Sequence, residues 1–155
     1  MRVALDTNVL VYAEGIHDAG RQAAALALIQ QLPANDTCVP VQAFGELFNV
    51  LTKKASWPHH RAREAILAWR DIFLAIDTDE DVLLSAIDLA TDHQMSVWDA
   101  IMIGCAARAK CRLLLSEDLQ DGFTWQGVTV VNPFADNPHP LLQAVLAGAA
   151  STPPE

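Results

Sequence analysis

Short aliphatic runs alternate with helical segments along the chain, and this alternation constrains the fold more than any other feature. Five runs of three or four residues predict strands, at residues 3–5, 37–39, 73–76, 112–115 and 128–131. Helical patterns lie between the first four runs. Because parallel strands need such long crossover connections, we predict an α/β fold, a three-layer α/β/α sandwich with a central, mainly parallel sheet.

Length and composition predict one compact domain. The chain has 155 residues, of which 52% are hydrophobic and 19% charged, and a chain of this size can bury roughly 70% of its unfolded surface. We expect residues 1–134 to form the domain. The strand and helix pattern fades after Pro133, so residues 135–155 are predicted to be a C-terminal tail that is loosely ordered or contains a short helix.

Several patterns that the sequence lacks bear on the cellular location of the protein. No apolar run approaches the ~20 residues of a membrane span, and the first residues do not resemble a secretory signal. The three cysteines are odd in number and form no C-x-x-C pair, which favours buried thiols over disulfides or zinc ligands. We therefore expect a soluble, cytoplasmic protein without membrane contact.

Aspartates follow two of the predicted strands. Asp6 comes directly after residues 3–5, and Asp118 follows the strand that ends near residue 115. In an open parallel sheet, ligands bind beyond the carboxyl ends of the strands, so these side chains are candidates for a site. Each aspartate taken alone is more often a helix cap or part of an Asx-turn than a site residue.

Two further acids lie on predicted helices. Asp99 shares a helical stripe with Met102 and Ile103, so we expect its carboxylate to point into the protein, although a capping box that begins at Ser96 explains it too. Glu46 falls off the apolar stripe of its helix, and a solvated helix face is the alternative there.

Carboxylates that are brought together raise one another's pKa unless a cation compensates their charge. Oxygen ligands with few histidines or cysteines suit Mg²⁺ or Mn²⁺ rather than zinc. A bound Mg²⁺ keeps several waters and takes phosphate oxygens. A cluster of these acids would thus be a site for Mg²⁺ (or Mn²⁺) acting on a phosphate ester.

Four motifs together resemble PIN-domain proteins, in particular the VapC-type toxin ribonucleases of bacterial toxin–antitoxin systems. They are LDTNVLVY, the helix that carries Glu46, SVWDAIMIGCAARAKC, and LLLSEDLQDG followed by GVTVVNPF, in the family's order over residues 1–134. The resemblance implies the catalytic acids Asp6, Glu46, Asp99 and Asp118. It also implies metal ligation by Asp6, Asp99 and Asp118, with Glu46 orienting or deprotonating the attacking water, and supporting roles for Thr7, Asn8, Ser116, Glu117 and Asp121.

The activity that the resemblance implies is a Mg²⁺- or Mn²⁺-dependent endoribonuclease that hydrolyses RNA phosphodiester bonds. It would be the toxin of a type II toxin–antitoxin pair, with an antitoxin partner and a homodimeric state. The alternative is a catalytically silent PIN-like subunit that serves in binding or structure. A HAD-type phosphohydrolase is disfavoured, because Asn8 occupies the second place of the D-x-D pair which that class needs.

Basic residues are concentrated in one segment. The net charge of -9 argues against nucleic-acid binding by bulk attraction, yet five of the ten Lys and Arg residues lie between residues 53 and 70. We predict RNA contacts for Lys53, Lys54, Arg61 and Arg63. Solvated helix faces remain the alternative for this segment.

Overall fold

A computed structural model describes residues 1–150, and residues 151–155 of the predicted tail lie outside the described residues. One six-stranded sheet forms its centre, in the order β3-β2-β1-β4-β6-β5. All neighbouring strands are parallel except β5 and β6. The strands are β1 Arg2–Leu5, β2 Thr37–Pro40, β3 Leu74–Ile76, β4 Cys111–Leu115, β5 Thr124–Trp125 and β6 Val128–Val131. The predicted α/β fold with a mainly parallel sheet is confirmed.

The strand that the sequence pattern did not predict is β5. It pairs with β6 through a two-residue turn in which Gln126 and Gly127 both have positive φ, at 45° and 84°. Positive φ at both central residues is the requirement of a type I′ hairpin turn, which matches the twist of the strands. The turn therefore adds one antiparallel edge strand to the parallel sheet.

Helices connect the strands and flank the sheet. The α-helices are α1 Thr7–Ala13, α2 Ala19–Gln31, α3 Val41–Lys53, α4 His59–Ile72, α5 Glu80–His93, α6 Val97–Arg108 and α7 Pro140–Ala150. Two helices, α1 and α2, lie between β1 and β2. The connection between them contains Gly15 and His17 at positive φ, and the Asp18 side chain caps α2 by accepting from the Arg21 N–H. Within residues 1–150, no helix is long and apolar enough to cross a membrane.

The core is centred on β1 and β4. Residues 3–5 and 113–115 have no exposed surface, and α6 is buried over residues 100–106. Cys38, Cys105 and Cys111 are buried free thiols, as predicted. Helix α7 lies within the predicted tail and contacts α2, and the predicted domain boundary at residue 134 stays a prediction.

The strand order reverses between β1 and β4. From β1 the chain proceeds outward to β2 and β3, whereas β4 leads to β6 on the other side. The crevice at such a switch point, beyond the carboxyl ends of the two strands, is where open α/β sheets bind ligands. Leu5 and Leu115 are register partners, so the residues that follow them emerge side by side at this crevice.

Candidate active site

Asp6 is held in a buried position at the end of β1. The Asp6 backbone N–H donates to the Leu115 carbonyl at 3.0 Å, which extends the strand pairing by one residue. One carboxylate oxygen of Asp6 accepts from the Thr7 N–H at 2.8 Å, and the other accepts from the Ser116 hydroxyl at 2.6 Å. Asp6 is only 7% exposed. Asp6 therefore caps α1, which the sequence analysis gave as the alternative for this residue, and its side chain also faces the crevice.

The loop after β4 is organised around the Ser116 hydroxyl. This oxygen accepts from the backbone N–H groups of Asp118 and Leu119, each at 3.2 Å, while it donates to Asp6. A side chain that both donates and accepts is needed here, and serine supplies both. The loop that carries Asp118 is consequently fastened to Asp6 through a single hydroxyl.

Asn8 links the two strand-end carboxylates. Its amide nitrogen lies 3.4 Å from Asp6 Oδ2 and 3.2 Å from Asp118 Oδ2, and its amide oxygen accepts from the Glu117 N–H at 3.3 Å. Asp118 itself is exposed. The neutral amide of Asn8 thus lies between the carboxylates of Asp6 and Asp118 and does not compensate their negative charges.

The structure places Glu46 in the same crevice. Glu46 is half-buried on α3 and accepts from the Thr7 hydroxyl at 2.5 Å and from the Gln42 amide at 2.9 Å. Gln42 also donates to the Trp98 carbonyl at 3.1 Å, which ties α3 to the start of α6. Sequence reasoning missed Gln42, although its position one turn before Glu46 would have shown that the two share a helix face.

Asp99 is exposed, so the expectation that its carboxylate points into the protein is wrong. It lies in the first turn of α6, before the buried stretch of that helix, and its backbone N–H is capped by Ser96 at 3.1 Å. The expectation was wrong because the apolar stripe does not show that the first turn of α6 is exposed to solvent. Asp99 nevertheless lines a cleft of about 300 Å³ together with Asp118.

Glu117 and Asp121, the two predicted supporting acids, bind other parts of the protein. Glu117 accepts from the Tyr12 hydroxyl at 2.7 Å and forms an ion pair with Arg21 at 3.0 Å. Asp121 accepts from the Asn132 N–H at 2.9 Å. These contacts fasten the loop around Asp118 to α1, α2 and the end of β6. Tyr12 and Arg21 are residues that the sequence analysis missed.

The electrostatics of Asp6 are unusual. The pKa of Asp6 is raised from 3.8 to about 6, mainly by burial and to a smaller extent by the negative charges of Glu46 and Asp118, while the hydrogen bonds from Ser116 and Thr7 act in the opposite direction. The ion pairs found within residues 1–150 involve Glu117, Asp79 and Asp81, so none of them compensates a predicted catalytic acid. The crevice is therefore a site of excess negative charge.

A hard divalent cation fits this donor set. Within residues 1–150, no three His, Cys, Asp or Glu side chains stand close enough together to enclose a metal ion on their own. Mg²⁺ does not need such a cage, since it is commonly held by one or two carboxylates and completes its shell with water and phosphate oxygens. Asp6 and Asp118, which share the Asn8 amide, offer that kind of site.

The predicted RNA-contacting residues do not all line the same cleft. Lys54 lines a cleft of about 420 Å³ that also reaches Glu46 and Asp118. Arg61 lies over the Trp57 ring at 3.7 Å, and Arg63 lines a separate apolar cavity between α3 and α4. Lys53 is exposed and is not among the residues that line the Lys54 cleft.

Comparison with known proteins gives a family match and several structures of similar fold. The PIN domain family model matches residues 3–121, whereas a comparison with curated protein sequences gave no match. A toxin–antitoxin complex from Klebsiella pneumoniae superimposes with a TM-score of 0.65 at 19% identity, covering 85% of this chain and 98% of that one. A VapC toxin of Mycobacterium tuberculosis that cleaves the sarcin–ricin loop gives 0.64 at 19% identity, covering 75% and 89%. FitAcB of Neisseria gonorrhoeae gives 0.60 at 19% identity, covering 85% and 98%. At these identities the structural likeness establishes the shared fold.

Proposed function

Since this chain belongs to the PIN domain family, we propose that it is an endoribonuclease that hydrolyses RNA phosphodiester bonds with the help of Mg²⁺ or Mn²⁺. The observation that carries the proposal is the buried Asp6, whose raised pKa reflects burial and the nearby charges of Glu46 and Asp118. Uncompensated carboxylates at the switch point of a sheet are costly for folding, and such sites serve binding or catalysis.

Each acid has a role that follows from its place in the crevice. Asp6 and Asp118 would hold the metal ion, and Asp99 would contribute a further carboxylate from the cleft that it lines together with Asp118. A divalent ion bound there polarises a phosphoryl oxygen and lowers the pKa of a bound water. Glu46, oriented by Thr7 and Gln42, would accept the proton of the attacking water.

Ser116 and Asn8 would keep the acids in place during turnover. Ser116 connects Asp6 to the loop that carries Asp118, and Asn8 bridges their carboxylates. Glu117 would hold the loop that carries Asp118 in place by binding Tyr12 and Arg21. Asp121 would do the same by accepting a hydrogen bond from the backbone N–H of Asn132, which follows β6. In this assignment neither Glu117 nor Asp121 is a metal ligand.

The biological setting is proposed from the likeness to solved toxin structures, among them a toxin–antitoxin complex and a toxin that cleaves the sarcin–ricin loop. We place this chain as the toxin of a type II pair in the cytoplasm, homodimeric and inhibited by an antitoxin protein. The competing function is a catalytically silent PIN-like subunit that serves in binding or structure.

Cleavage of RNA with matched acid variants tests the proposal. Purified protein is incubated with a mixed-sequence RNA and Mg²⁺ or Mn²⁺, with EDTA as the metal-free reference. Asp6→Asn should lose at least about a hundredfold in rate, because a buried metal-facing carboxylate becomes neutral. Asp121→Asn is the control, since asparagine keeps the oxygen that accepts from Asn132. Equal cleavage by wild type and Asp6→Asn would overturn the assignment.

A further inference from the structure

A cleft beside the acidic residues of the crevice bears on how the RNA strand binds. The cleft of about 420 Å³ on the α1 and α3 side opens directly onto Glu46 and Asp118. Cavities of roughly 300 to 1,000 Å³ are typical sites for small molecules and cofactors. The size therefore suits one nucleotide, whereas a duplex would not enter.

The lining of this cleft contains groups of both charges. Glu46 and Asp118 line it together with Lys54 and His17, which contribute cationic or protonatable groups. Within residues 1–150, no carboxylate forms an ion pair with Lys54, although the protein carries a net charge of -9. A lysine with no acidic partner, in an acidic protein and beside the reaction site, is suited to an anionic ligand group such as a phosphate.

His17 reaches the cleft from an unfavourable backbone conformation. Its φ of 78° lies in the left-handed region, which residues other than glycine rarely adopt. Such outliers concentrate at ligand sites, where the surrounding structure holds them in place. In this protein the outlier lies in the connection between α1 and α2, on the wall of the Lys54 cleft.

The remaining walls fit a base. Val11, Val50 and the Tyr12 ring supply apolar and aromatic surface, against which a base can pack. Asn49 also lines the cleft, and within residues 1–150 its side-chain amide has no hydrogen-bond partner. An amide offers both a donor and an acceptor to a base edge.

We propose that this cleft binds one nucleotide of single-stranded RNA next to the phosphate that is cleaved, with Lys54 and His17 contacting the adjacent phosphate and Asn49 contacting the base. The inference rests on the proposed function for the position of the scissile phosphate. It also revises the predicted basic rim, because Lys54 alone among the four predicted contacts lines the cleft beside the acids.

Binding and cleavage are measured separately in the test. Fluorescence anisotropy with a short labelled single-stranded RNA, in EDTA, gives Kd over a range of salt concentrations. The variants are Lys54→Gln, Lys53→Gln and Arg112→Gln, which each remove one positive charge from an exposed residue. Arg112 lies near the start of β4, away from the strand end that carries the site, and is the control.

Lys54→Gln should weaken RNA binding about fivefold and reduce the salt slope by about 0.7, the value for one phosphate contact on a single strand. Its KM for RNA should rise by a similar factor while kcat changes little. Arg112→Gln should bind as the wild type does, and Lys53→Gln should lose less than Lys54→Gln. Equal losses for the two lysine variants, or none for Lys54→Gln, would overturn the proposal.

The two proposals can fail independently. Wild-type protein that binds RNA through Lys54 but cleaves none would refute the ribonuclease assignment and support the cleft. Metal-dependent cleavage with unchanged binding and KM in Lys54→Gln would refute the cleft and support the ribonuclease.

Discussion

The Asp6 carboxylate should destabilise the metal-free protein as the pH rises. Burial raises its pKa from 3.8 to about 6, so the folded state holds a proton that the unfolded chain releases between those values. Stability falls with pH wherever the folded state binds more protons than the unfolded state. The penalty is therefore absent below pH 3.8 and complete above about pH 6.

The size of the penalty follows from the same numbers. Each tenfold change in proton affinity is worth about 1.4 kcal/mol, so a pKa that rises from 3.8 to about 6 costs the folded state about 3 kcal/mol once Asp6 is ionised. In Asp6→Asn this penalty is removed. The amide keeps an acceptor for the Thr7 N–H but presents an NH₂ group to Ser116 and Asn8, which costs about 1 kcal/mol for each hydrogen bond lost.

The hydrogen-bond cost does not depend on pH, whereas the ionisation penalty does. Urea unfolding of wild type and Asp6→Asn in EDTA, from about pH 4 to about pH 8, separates the two. The variant's free energy of unfolding should rise relative to wild type by about 2.5 kcal/mol over this range, since a small part of the penalty is already present at about pH 4. A difference that stays constant with pH would refute the reasoning.

Two further substitutions test the residues that donate hydrogen bonds to Glu117 and Glu46. Tyr12→Phe removes the hydroxyl that donates to Glu117, so the loop that carries Asp118 loses one contact to α1. Stability should fall by about 1 kcal/mol in urea unfolding, and the Mn²⁺ Kd from calorimetry should rise several-fold; an unchanged Kd would contradict the positioning role of Glu117. Gln42→Ala frees one oxygen of Glu46. Its kcat should fall about tenfold with KM nearly unchanged, and the reverse pattern in steady-state cleavage would show that Gln42 acts on RNA binding instead.

The fold was largely predictable because β1, β2 and β3 are short, mostly apolar and each followed by a helix. That pattern permits few arrangements other than a parallel sheet. The hairpin strand β5 was not predicted because it spans only Thr124–Trp125. In addition, its turn has Gln126 at a positive φ, a conformation that asparagine or glycine more commonly adopts.

The candidate site was predictable where it depends on strand ends. Asp6 and Asp118 follow β1 and β4, and parallel pairing brings them to one crevice. The position of Glu46 could not be derived from its own helix, because a wheel shows which face is apolar but not which face borders the crevice. Tyr12 was missed because its partner Glu117 is remote in sequence, whereas Gln42 could have been found from its spacing to Glu46 on α3.

The central claim is that the crevice between β1 and β4 holds a divalent metal ion, and anomalous diffraction from a crystal soaked in Mn²⁺ tests it most directly. The account predicts an anomalous peak at the crevice, within about 2.0 to 2.3 Å of a carboxylate oxygen of Asp6 or Asp118. The same peak should be absent from Asp6→Asn crystals. An empty crevice in the wild type, with Mn²⁺ found only at surface acids such as Asp79 and Asp81, would contradict the account.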